Sequence, residues 1–300
     1  MRVCLRILAA VAACTASPLA AQSAAGSPPA TPEPADSTIV VTGKQAQALS
    51  EKQVFDQARG ITRIGPYDAY VVALARFWRP VCPGVAGLRA DYAIAMVERM
   101  RANVARLKVP LAKPACSPNL IVAFEEDGRL LLSDLQQHRP GLFSLVSKSE
   151  QAEMLTDKAP VHVWNNIAEH WMGAGSPPAR GVRASVWGQL DRTSMPYGYE
   201  ILGALVVFDR SAAEGLTLSQ LADYATMRGL SHTRPPSGAQ PTATILSLFD
   251  EGAAPPDELT AFDLGYLRSL YWWVPNASAA NKLVGVQRWM KRGAKDTAQH

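Results

Sequence analysis

An α+β fold in a single mixed domain is predicted by three features of this 300-residue sequence. Two continuous apolar runs, residues 119–124 and 202–208, have the length and composition of strands buried on both faces. Apolar residues recur at three- and four-residue steps at Ala93, Met96, Val97, Met100, Val104 and Leu107, the pattern of a helix with one buried face. Helical and strand-like segments then alternate along the chain with no internal repeat.

The first 49 residues stand apart from that domain. Arg2 and Arg6 lead an apolar stretch too short to span a bilayer, followed by the small residues around Ala20 and Ala21, so residues 1–21 read as an export signal cleaved after Ala21. Val11-Ala12-Ala13-Cys14 also resembles a lipobox, and the alternative is a lipid anchor on Cys14. Either reading takes the protein out of the cytoplasm, to the periplasm or cell envelope. Residues 22–49 are rich in Ala, Pro and Ser and bury too little to offset their ordering entropy, which predicts a disordered tether. Within it, Thr38-Ile39-Val40-Val41-Thr42-Gly43 resembles the segment that opens many outer-membrane receptors and is read by the energising protein TonB; the alternative is a short edge strand on the main domain.

The domain spans residues 50–300. A short helix runs from Ser50 to Arg59, an apolar stretch covers 69–77, and 79–84 is rich in turn residues. The helix through residue 107 stops before Pro110. Cys82 and Cys116 are the cysteines left outside the leader, an even pair in an oxidising compartment, and a disulfide between them is expected. It closes a loop of about 34 residues, worth about 3–4 kcal/mol in the chain-entropy account. The strand at 119–124 ends in Glu125, Glu126 and Asp127, where Asp127-Gly128 reads as a solvated turn. A polar helical region covers 130–155, residues 161–164 alternate like a strand, 173–178 is a loop, and the strand at 202–208 leads into a helix beginning near Leu216.

That helix carries the most informative spacing in the chain. Residues 222–232, Ala-Asp-Tyr-Ala-Thr-Met-Arg-Gly-Leu-Ser-His, match the frame H-E-x-x-H-x-x-G-x-x-H at Gly229 and His232, with Ala222 and Thr226 at the first two ligand positions and Asp223 at the general base. Ile245-Leu246-Ser247-Leu248-Phe249 follows, and then Leu259-Thr260-Ala261-Phe262-Asp263 opens the pattern L-T-x-x-D-x-x-x-L-x-x-L-Y through Leu267, Leu270 and Tyr271. The order of these pieces resembles the zincin metallopeptidases and a bacterial family of uncharacterised exported proteins that looks zincin-like. The resemblance implies a zincin-like second half.

The chemistry of that resemblance is largely gone. Catalytic zinc takes three protein ligands and leaves a place for water, and Ala222 and Thr226 supply no good donor. A metal site would have to be assembled from distant groups such as His162, His170, Asp223, His232 and Asp263, which have no ligand spacing. No metal or other cofactor is therefore assigned, and Asp223 and His232 remain the weak catalytic candidates. No G-x-S-x-G elbow, C-x-x-C pair or phosphate-binding loop is present. Formal net charge falls from +4 to +2 once Arg2 and Arg6 leave with the signal, giving no nucleic-acid signature. Tyr271-Trp272-Trp273 and a basic amphipathic segment over 279–295 suit either packing on the domain or binding to a membrane or partner. The expected function is a non-catalytic cell-envelope protein that binds or scaffolds a protein or peptide partner; the alternative is an atypical metallopeptidase or another hydrolase.

Overall fold

Four strands form a mixed sheet in the order β1-β2-β4-β3. The computed structural model describes residues 49–65, 68–173, 175–176, 194–238, 240–250 and 255–297. The expected signal with Cys14, the Thr38 to Gly43 segment and nearly all of the tether lie outside the described residues. Leu49 does not behave as tether: its carbonyl accepts from Gln287 Nε2 at 2.7 Å and its side chain packs on the main core.

In chain order the elements are α1 (Glu51–Ile61), β1 (Pro83–Ala86), α2 (Ala90–Arg106), β2 (Leu120–Glu125), α3 (Gly128–His138), α4 (Lys148–Thr156), β3 (Val161–Trp171), β4 (Tyr197–Asp209), the short α5 (Arg210–Ala213), α6 (Leu218–Leu230), α7 (Ala261–Trp272) and α8 (Ala279–Thr297). This is the mixed α+β domain expected from the alternating pattern. β1 pairs parallel with β2, β2 parallel with β4, and β3 runs antiparallel on the other side of β4.

Alternation along β4 divides the core. Val206 and Phe208 enter a large cluster with Leu120, Val122 and Phe124 of β2 and the buried faces of α1, α2, α6, α7 and α8. Leu205 and Val207 point the other way, joining Ala123, Leu132, Phe143 and Trp164 under α3 and α4. Two-sided burial is what gives residues 202–208 their unbroken apolar composition.

Three local readings change. Residues 83–86 form a strand, not only a turn; Pro83 and Gly84 disguise it, and its edge position makes their poor ladder chemistry tolerable. β3 continues from Trp164 through Trp171, past a register shift at Asn166/Ile167, because β4 begins at Tyr197 and offers backbone partners for seven further residues. Asp127 stays open to solvent at its bend but is more than a turn residue: its carboxylate caps α3, accepting from Arg129 N at 2.9 Å and Leu130 N at 3.3 Å.

The Cys82–Cys116 disulfide is present, with Cα atoms 6.1 Å apart. It ties the start of β1 to the loop that feeds β2, beside the Val81↔Leu111 bridge. Among the described residues no helix is long and apolar enough to cross a membrane.

Candidate functional site: the degenerate motif helix and its cavity

A capping box starts α6: Thr217 Oγ1 accepts from Gln220 N, and Gln220 Oε1 accepts from Thr217 N. The helix then runs through the core, so every residue from Gln220 to Leu230 is buried. Ala222 and Thr226, at the first two ligand positions of the H-E-x-x-H frame, are fully buried. Thr226 Oγ1 donates back to Ala222 O at 2.7 Å, which turns its hydroxyl along the helix. Gly229 is helical rather than a helix-ending cap; a Cβ there would collide with Leu120 Cδ1, so the glycine lets α6 lie close on β2.

Asp223 is fully buried and fully engaged. Oδ1 accepts from Arg99 Nε at 2.8 Å and Asn103 Nδ2 at 2.6 Å; Oδ2 accepts from Arg99 Nη2 at 2.7 Å and Leu259 N at 2.8 Å. The weak catalytic candidate is one half of a bidentate ion pair between α6 and α2. The carboxylate, with Glu258 at 3.1 Å, raises the Arg99 pKa further. Four donors leave Asp223 no lone pair directed at an outside substrate.

Asp263 repeats this logic at the start of α7. It accepts from Thr244 Oγ1 at 2.6 Å, Ile245 N at 2.8 Å, Thr260 N at 2.9 Å and Thr260 Oγ1 at 2.8 Å. Burial pushes its pKa up, and these four bonds oppose the rise. The Ile245 and Leu259 segments that followed the motif in sequence are thus held by two internal carboxylates.

The five groups weighed for a dispersed metal site occupy separate places. His162 lies buried on β3, 3.9 Å from Asp209, and burial lowers its pKa. His170, near the far end of β3, is 2.9 Å from the buried Glu200 of β4 and stacks on Trp78 with ring centroids 4.6 Å apart. Arg79 Nε reaches the other Glu200 oxygen at 3.2 Å. Among the described residues no group of three His, Cys, Asp or Glu side chains is placed to hold a metal ion.

His232 is the motif residue that reaches a cavity. It follows α6, where the Thr62↔Thr233 bridge and the bond from Arg63 N to His232 O at 3.1 Å fix its backbone. Its Nε2 sits 3.1 Å from Glu150 Oε1 of α4, and Arg63 Nη1 lies 4.0 Å from the same oxygen. His232, then Arg63, hold the Glu150 carboxyl below its usual range against the opposing effect of burial. The cavity has a volume of about 270 Å³; Val72, Leu74 and Ile167 give it apolar walls, Arg63 and Asp68 place charges of opposite sign around it, and the His232 imidazole borders it.

Comparison with protein-family models, curated proteins and solved structures gives no match. The site is therefore read from its own chemistry. Arg99, Asn103, Glu150 and Glu200 were not singled out in the sequence, since the partner of each lies on a different element of the chain. Arg99 and Asp223 are 124 residues apart, and no local spacing announces their pairing.

Proposed function

We propose that the chain is a non-catalytic binding protein of the cell envelope, built on a zincin-like scaffold, and that it takes a short peptide or peptide end into the cavity beside His232. The observation that carries this reading is Asp223: the position of a general base is fully buried and saturated by Arg99, Asn103 and Leu259 N. Further support is the placement of α6 against β4 and β2, with α7 opening at Asp263 beside it. Ligand choice follows from the cavity, whose apolar walls suit a side chain while Arg63 and Asp68 suit the opposite charges of a peptide end. Export rests on the N-terminal sequence and on a disulfide that favours an oxidising compartment.

The test pairs metal analysis and a peptide-cleavage screen with a thermal-shift screen of short peptides. Peptide-dependent stabilisation that disappears in Arg63→Ala and His232→Ala is the expected result. Stoichiometric zinc with chelator-sensitive cleavage refutes the proposal. A hydrolase is the competing reading, for which one proximity speaks: His170 Nε2 lies 2.9 Å from Glu200 Oε2, a contact that is not aligned as a hydrogen bond. Hydrolysis lost in His170→Ala, with fold retained, would select it.

A further inference from the structure

The outer surface at the junction of α7 and α8 combines protruding apolar groups with a group of cations. Trp272 at the end of α7 is 64 % exposed, and its ring meets Trp289 of α8 edge-on at 5.2 Å. Val274, two residues on, and Val284 of α8 are 55 % and 62 % exposed. Arg106 and Lys108 follow from the end of α2, Arg268 comes from α7, and Arg288, Lys291 and Arg292 come from α8. Among the described residues none of these cations has a carboxylate partner within salt-bridge distance. Arg292 instead lies 5.0 Å from the centre of the Trp289 ring.

This is not the apolar face of an amphipathic helix waiting for a bilayer. Leu283 and Val286 of α8 are buried, and α8 packs on α7 and α1. What remains outward is the cationic side of α8 together with the tryptophan end of α7. Two recesses, of about 300 Å³ and about 600 Å³, lie between these groups; Arg106, Arg268 and Trp272 line the first, and Trp273, Arg288 and Lys291 line the second. Glu51, at the start of α1, is an acid on the margin of the larger one.

We propose that this surface docks the protein on a bilayer displaying anionic phospholipid headgroups. Charge complementarity selects the sign of the partner, because among the described residues these arginines and lysines have no carboxylate within salt-bridge distance. The aromatic groups select its form. Trp272, Val274 and Val284 project from the surface, where apolar tips can enter the headgroup boundary while neighbouring cations hold phosphates. An acidic polypeptide would satisfy the charges but leave those projecting apolar groups wet. The surface is separate from the cavity beside His232, so this proposal stands independently of ligand binding there.

The experiment is co-sedimentation of the full chain with phosphatidylcholine vesicles, with and without phosphatidylglycerol, over a range of salt. Wild-type binding is expected to require phosphatidylglycerol and to weaken as salt rises. The Lys108→Glu/Arg288→Glu/Lys291→Glu variant is expected to lose about a hundredfold in affinity. Trp272→Ala is expected to lose about threefold or more. All variants keep the same N-terminal residues, so binding by that segment cannot create these differences. Circular dichroism checks folding, and Arg288→Glu alone, with an expected loss of about fivefold, serves if the triple variant unfolds. Wild-type affinity in a folded charge variant, equal binding to pure phosphatidylcholine, or tighter binding to polyglutamate than to anionic vesicles would each overturn the proposal.

Discussion

Replacing Asp223 with alanine separates a structural clasp from a dormant catalytic residue. In the folded protein this carboxylate receives four donors, and truncation strands the buried Asn103 amide, Leu259 N and one side of the Arg99 guanidinium. Breaking a buried hydrogen-bonded ion pair from one side costs about 3–5 kcal/mol. For a domain of this size that corresponds to a fall in Tm of about 6–20 °C. Arg99 is itself 31 % exposed, so water screens part of its charge and Arg99→Ala is assigned a smaller cost of about 1–2 kcal/mol. Urea denaturation followed by circular dichroism gives both values and that of the double variant. The double variant should be less destabilised than the sum, since each truncation removes the same ion pair. An Asp223→Ala loss below about 1 kcal/mol would refute the clasp, because it is smaller than the cost of stranding even one buried donor. Cleavage activity abolished in Asp223→Asn with unchanged stability would refute it from the functional side.

Lys282 is buried and donates to Pro275 O at 2.8 Å and Leu74 O at 3.3 Å; burial, with the nearby Arg76 charge, lowers its pKa to about 7. The unfolded chain therefore holds more protons between pH 7 and the ordinary lysine range, so stability should rise with pH across that window, by at most about 4–5 kcal/mol, and Lys282→Met should flatten the rise in urea titrations. Gly229→Ala gains up to about 1 kcal/mol in helix propensity but forces a methyl into Leu120, and a net loss of about 1–2 kcal/mol in chemical denaturation is expected. Cys82→Ser/Cys116→Ser should cost about 2–4 kcal/mol, and reduction of the wild type should reproduce the loss. The depressed Glu150 pKa stabilises the fold above the ordinary glutamate range and is lost as pH falls through its folded value; His232→Ala should weaken that acid dependence in a pH series of Tm measurements.

The legibility of this chain depended on how local each signal was. The helix through Met96, Met100 and Val104 and the two-sided strand at 202–208 were readable because burial writes itself into neighbouring residues. The disulfide was readable from the cysteine count, two outside the first 21 residues. β1 was hidden because Pro83 and Gly84 speak for a turn, whereas their strand conformation is imposed by pairing with Leu120 and Ile121. The extension of β3 through Asn165, Asn166 and His170 was hidden for the same reason, since backbone pairing with β4 does not require apolar side chains.

The motif region shows the sharper limit. Thr260 and Asp263 form a capping box that local spacing can reveal, yet the same Asp263 also accepts from Thr244 and Ile245 across the chain. Asp223 reaches both α2 and the Leu259 segment. The ordered pieces around 222–232, 245–249 and 259–271 are consequently bound to one another by two buried carboxylates, with no metal needed to account for their arrangement. Stability alone accounts for acids at both positions, so the presence of Asp223 is a poor indicator of activity. His232 differs, because its imidazole borders a cavity and pairs with Glu150 rather than closing an internal clasp. A functional experiment on this region should therefore begin at His232 and Arg63, with Asp223 as the control for folding.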